Sequence, residues 1–122
     1  MASDADTTVM ELRKTLQRFI DARDWQRYHH PKEVALSLSV EASELLEIFQ
    51  WTEKEPIGKI KTNPKLMERI REELADVTNY CLDMANQLDI DLTKAVEEKL
   101  EKNEKKYPAA VWKNKSVRYV KL

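Results

Sequence analysis

Glu41, Glu44, Glu73 and Asp76 form two carboxylate pairs, each spaced i,i+3, on two stretches whose apolar residues recur with helical period. Residues three apart are neighbours on a helix surface, so each pair presents two acids side by side. Glu41 projects between Val34, Leu45 and Ile48, inside the apolar sector of its helix, and Glu44 follows at the sector's edge. Glu73 falls between Leu66, Tyr80 and Met84, with Asp76 one step further round. If the two helices pack side by side, four carboxylates converge. Two unit charges about 4 Å apart repel by roughly 4 kcal/mol at an effective dielectric of about 20. Several such pairs rival the whole stability of a domain, about 5–15 kcal/mol. A hard divalent cation relieves the conflict, and oxygen donors without Cys or His select Mg²⁺ or Mn²⁺ over zinc or copper. The structural alternative, an ordinary surface charge paired with Lys or Arg, suits a single glutamate better than two matched pairs that lean inward. Glu47 and Glu72 extend the acidic runs but point further outward.

Other chemistries are excluded by what the chain lacks. Its two histidines, His29 and His30, are adjacent and lie between helices, so the Glu-x-x-His of di-iron bundles is missing. A single Gly rules out a glycine-rich phosphate loop. No Ser/His/Asp or Cys/His arrangement is legible, and Cys81 reads as a core thiol on an apolar face.

The elements that position the acids follow from periodicity. Apolar residues at Val9, Leu12, Leu16, Phe19 and Ile20 predict a first helix over about Thr8 to Arg23. Asp24 to His30 connects it to a second helix that begins at Pro31, a residue suited to a first helical turn, and runs to about Trp51. Thr52 to Pro64 holds the only Gly and two of the four prolines, and reads as a loop. A third helix spans about Lys65 to Leu88, and a fourth runs from Asp91, a suitable N-cap, to Tyr107, where Pro108 ends it. With 35% charged and 42% hydrophobic residues in 122, the chain is expected to be one all-α domain over 1–122. The expected subunit is four-helix bundle-like, with a flexible N-terminus of about 1–7 and a basic tail of about 109–122. The second helix is apolar over most of its circumference, with Leu36, Val40, Leu46 and Trp51 outside the main stripe. Burial on two sides is then expected, which points to a homo-oligomer, a homodimer or homotetramer. A net charge of −1 gives no reason to expect nucleic-acid or membrane partners. One cysteine, a polar N-terminus and no long apolar run suit a soluble cytoplasmic protein.

With Glu41-Ala-Ser-Glu44 followed by Glu73-Leu-Ala-Asp76, the chain resembles the MazG-like all-α nucleoside triphosphate pyrophosphohydrolases, in the single-domain branch that includes the dCTP pyrophosphatases. Further matching blocks are RDWQRYHHP (Arg23 to Pro31), VEASELLEIFQW (Val40 to Trp51), EELADVTNY (Glu72 to Tyr80), KLEKNEKKYP (Lys99 to Pro108) and Arg118-Tyr119, in order along nearly the whole chain. The resemblance implies Mg²⁺ ligation by Glu41, Glu44, Glu73 and Asp76, and hydrolysis between the α- and β-phosphates to a nucleoside monophosphate and pyrophosphate. It also implies clearance of non-standard or excess deoxynucleotides. Cytosine-preferring animal members carry a base-contacting His where this chain has Leu16, a departure that bears on base selectivity.

Within that frame, Lys99 and Asn103 lie among Ala95, Val96 and Leu100 and offer a cation and an amide to triphosphate oxygens. A snorkelling role is the structural alternative and is preferred for Lys106. Arg118 is a further phosphate candidate. Trp25, His29, Trp51 and Tyr80 are candidates to stack on or hydrogen-bond a nucleobase, at about 1–3 kcal/mol per stacked base. Either Glu41 or Glu44 would orient or deprotonate the attacking water. The rival expectation is a non-catalytic helical interaction or regulatory module whose acids hold a structural metal.

Overall fold

The computed structural model describes residues 2–115. Among these the chain is all-helical, with six α-helices and no strand. Helix α1 (Val9–Ala22) starts at a reciprocal cap: the Thr8 hydroxyl accepts from the Glu11 N–H at 3.1 Å, and the Glu11 carboxylate accepts from the Thr8 N–H at 2.8 Å. Asp24, in the left-handed region at φ 54°, reverses the chain into a 3₁₀ turn, Gln26–Tyr28. Helix α2 (Pro31–Glu47) follows, with the His30 ring accepting from the Lys32 N–H at 3.1 Å. The expected extension of this helix to Trp51 is wrong. Beyond Glu47 the backbone tightens into i→i−3 turns, with the Phe49 N–H on the Leu46 carbonyl and the Thr52 N–H and hydroxyl on the Phe49 carbonyl. The apolar period continues through Ile48, which is buried, although the helix has stopped.

The expected loop from Thr52 to Pro64 contains a short helix, α3 (Ile57–Lys61). Its prolines mark helix beginnings: Pro56 precedes α3 and Pro64 opens α4 (Pro64–Leu88), where Asn63 caps by accepting from the Leu66 N–H at 3.2 Å. Pro is compatible with a first turn because that N–H lacks an intrahelical acceptor anyway. Asp89, at φ 51°, ends α4. Asp91 caps α5 (Leu92–Lys106) as expected, accepting from the Lys94 N–H at 3.0 Å. The tail holds one more turn, α6 (Ala109–Trp112), where Trp112 meets the Tyr107 ring edge-on at 5.2 Å.

The chain forms two compact units, one ending at Asp89 and the other beginning at Ile90. In the first, α4 is the central rod, against which α2, α1 and α3 each pack. Ile20, Val34, Leu82 and Ala85 are buried there. A polar clamp joins α1 to α4: Arg13 Nε donates to Asn86 Oδ1 at 2.8 Å, Arg13 Nη2 donates to the Ala85 carbonyl at 3.1 Å, and Asn86 Nδ2 donates to the Arg13 carbonyl at 3.1 Å. Helix α2 buries Val34 on its inner side and leaves Leu36, Val40 and Leu46 more than half exposed on the other.

Asn86→Ala removes an acceptor and a donor from the Arg13 clamp while leaving the other contacts of α4 in place. A loss of about 1–3 kcal/mol is expected, read from the denaturant midpoint. An unchanged midpoint would show that the clamp contributes nothing.

Candidate active site

The packing of α2 on α4 brings acids from both helices to one place. One oxygen each from Glu41, Glu73 and Asp76 lie within 4.8 Å of one another. Glu41 Oε2 and Glu73 Oε2 are buried and have no hydrogen-bond partner. Glu44 is exposed, yet its carboxylate is near enough to both glutamates to raise their pKa values by charge and by hydrogen bonding. Burial is the largest cause of the rise at Glu41, which is pushed up to about 7, followed by Glu44, Asp76 and Glu73. Glu73 is also raised, first by burial and then by Glu44 and Asp76. Among the described residues no lysine or arginine forms an ion pair with any of the four. The ordinary surface-charge alternative therefore does not describe this cluster. Orphaned buried carboxylate oxygens, in a donor set of oxygen alone, fit a hard divalent cation.

Beside the cluster a cavity of about 450 Å³ runs along α2 and α4, and Asp76 lines both. One wall is apolar and aromatic, from Leu16, Phe19, Ile20 and Trp25. Trp25 meets the Phe19 ring edge-on at 5.9 Å, and the Arg23 guanidinium covers that ring at 3.7 Å. Polar groups line it as well, among them His29, Glu33, Ser37, Asn79, Tyr80 and Asp83. Of the aromatic and histidine candidates, the fold thus gathers Trp25, His29 and Tyr80 around one cavity. Trp51 does not line it; that side chain is 89% exposed in the turn after α2. Lys99 and Asn103 stand one turn apart on α5, in the second unit, and Asn103 Nδ2 is buried without a hydrogen-bond partner. Arg118 lies outside the described residues.

Sequence reasoning missed Asn79 and Asp83. Asp83 is 1% exposed, with Oδ2 at 2.5 Å from His29 Nδ1 and Oδ1 accepting from Gln87 Nε2 at 3.1 Å. The signal was present: Asn79 and Asp83 follow Asp76 by three and seven residues, the spacing of one helix face.

The model of the MazG-like family matches residues 36–122. Human (Homo sapiens) dCTP pyrophosphatase 1 is 35% identical over 118 residues, covering 96% of this chain and 69% of the relative. The Rattus norvegicus dCTP pyrophosphatase 1 is 32% identical over 117 residues, with 96% and 69% covered. The crystal structure of a pyrophosphatase from Archaeoglobus fulgidus superposes with a TM-score of 0.74 at 39% identity, covering 88% of this chain and 99% of that one.

The raised Glu41 has a consequence for stability. Its ordinary value is 4.5, so the folded metal-free chain holds this proton more tightly than the unfolded chain does. That contribution is complete below about pH 4.5 and is lost as pH rises through about 7. The melting temperature in EDTA is expected to fall between pH 5 and pH 8 by more in the wild type than in Glu41→Gln. Equal slopes for the two proteins would contradict the assignment.

Proposed function

The chain belongs to the MazG-like family and is a nucleotide pyrophosphohydrolase, and we propose that it hydrolyses deoxynucleoside triphosphates of the dCTP type in the presence of Mg²⁺. The bond cleaved is the α–β phosphoanhydride, and the products are a nucleoside monophosphate and pyrophosphate. The biological role that fits is clearance of non-standard or excess deoxynucleotides.

The observation that carries this reading is the pair of buried, unpartnered oxygens of Glu41 and Glu73 beside a cavity of nucleotide size. Glu41, Glu44, Glu73 and Asp76 would hold the metal. Their all-oxygen chemistry suits Mg²⁺, with Mn²⁺ as a substitute. When bound, the cation polarises the phosphoryl oxygens and neutralises charge that the four acids could not tolerate. The chain's own groups do the rest. Glu41 or Glu44 accepts the proton of the attacking water, and the apolar wall at Phe19 and Trp25 takes the base. Asp76 belongs to both the acidic cluster and the cavity lining, so phosphates held at the acids and a base held at Phe19 and Trp25 would occupy one continuous site. Holding both ends supplies the positioning on which phosphoryl chemistry largely depends. Lys99 and Asn103 remain proposed phosphate contacts on chemical grounds.

The exposed apolar face of α2 supports a homodimer or homotetramer as the working assembly. Among the described residues no helix is long and apolar enough to cross a membrane. The free Cys81 suits a reducing cytoplasm.

Incubation with a panel of nucleoside triphosphates and Mg²⁺ is expected to release pyrophosphate from at least one, and EDTA is expected to stop it. Glu41→Gln and Glu44→Gln should each lower kcat by about 100-fold or more, with the helical circular dichroism unchanged. If no triphosphate yields pyrophosphate while the fold is intact, the chain is instead a non-catalytic module.

A further inference from the structure

Asp83 takes no part in the acidic cluster and caps no helix, yet it is among the most deeply buried side chains of the chain. A lone carboxylate is expensive to bury, and for stability alone an apolar residue would serve at least as well. What Asp83 does is hold His29. An ionised carboxylate can only accept hydrogen bonds, so this contact with an ionised Asp83 requires a proton on His29 Nδ1. Gln87 Nε2 donates to the other carboxylate oxygen and fixes the group from behind. The His29 side chain is 17% exposed and lines the cavity, and with Nδ1 engaged the edge left to offer is Nε2. Nε2 has no hydrogen-bond partner among the described residues.

We propose that Asp83 is a positioning residue that locks His29 as the Nδ1–H tautomer, so that Nε2 enters the cavity as a hydrogen-bond acceptor and selects bases bearing an exocyclic amino group over their oxo counterparts. This deepens, and rests on, the assignment of the cavity to a nucleoside triphosphate. An amino group donates to Nε2, whereas a carbonyl in the same place sets lone pair against lone pair and leaves a desolvated acceptor unpaired. Leu16, Phe19 and Ile20 bring no polar side-chain atom to the cavity, so none of them competes with His29 for this reading. The contact is remote from the acidic cluster, so it acts on substrate binding more than on the chemical step.

The tautomer is measurable directly, because His29 and His30 are the only histidines. In the full chain carrying His30→Asn, which keeps a residue able to cap α2, long-range ¹H–¹⁵N spectra of His29 should show the Nδ1–H form. A neutral Nε2–H ring or a doubly protonated ring would overturn the proposal. In Asp83→Asn, Gln87 holds the amide oxygen and the amide NH₂ faces Nδ1, which should switch the ring to Nε2–H; an Asp-to-Asn change beside a serine-protease histidine has the same effect. Wild-type kcat/KM should favour dCTP over dUTP by about tenfold or more, and Asp83→Asn should lower that ratio by about tenfold or more, through KM. A dCTP:dUTP ratio that survives Asp83→Asn with the tautomer switched would sink the idea. His29→Gln is a second variant, independent of the folding of Asp83→Asn. Its amide can present either an acceptor or a donor, so the ratio should collapse toward one, and a retained preference counts against the proposal. Absence of hydrolysis with every triphosphate, alongside the Nδ1–H spectrum, would instead refute the hydrolase reading and leave the Asp83–His29 lock standing.

Discussion

The constraint that shapes this protein is the apposition of α2 and α4 with like charges at their contact. Helices meet where their apolar stripes can be hidden from water, and here the stripes include Glu41 and Glu73. Burial and mutual repulsion act in the same direction on Glu41 and hold it at about 7, well above an ordinary carboxylate. The metal-free unit meets this conflict by holding the Glu41 proton more tightly, and a divalent cation at the cluster would resolve it by replacing that proton. The proposed function would thus couple to stability at one contact, and the core around Val34 and Leu82 carries the conflict of charges in the metal-free chain.

The same helix pair sets the polarity of the site. Along α4 the sequence Asp76, Asn79, Tyr80, Asp83 leads from the acidic cluster to the His29 lock on one face. Across from it α1 and the 3₁₀ turn contribute an apolar and aromatic wall, stiffened where Arg23 and Trp25 both contact Phe19. A flat apolar ring and a charged chain of phosphates need opposite surroundings, and the cavity lining includes both aromatic side chains and an acid of the cluster. The Arg13–Asn86 clamp keeps α1 in register with α4, and so bears indirectly on where that wall stands.

Much of this was legible in the sequence because local rules governed it. The capping Asp91 and the first-turn Pro31 placed the starts of α5 and α2, and the inward-leaning glutamates could be read from spacing alone. The end of α2 was not legible, since Ile48 continues the apolar period as a buried turn residue after the helical hydrogen bonds stop. Helix α3 was hidden because Gly58 and the flanking prolines signal loop, although the prolines stand at helix starts. Trp51 was singled out by residue type, and the chain path leaves it outside the cavity that Trp25, His29 and Tyr80 line. Asp83 was overlooked because an acid in a charge-rich helix reads as surface until a distant histidine is known to reach it. That histidine is 54 residues away in the chain, beyond any local pattern.

The central claim is that a divalent cation takes the place of a proton held between α2 and α4. Calorimetric titration with Mg²⁺ at pH 7, repeated in buffers of different ionisation enthalpy, measures that exchange directly, because ligand carboxylates must lose their protons as metal binds. The account predicts saturable binding with net proton release, and less release once Glu41 is replaced by Gln. Binding without proton release, or no saturable binding in the folded wild type, would contradict it.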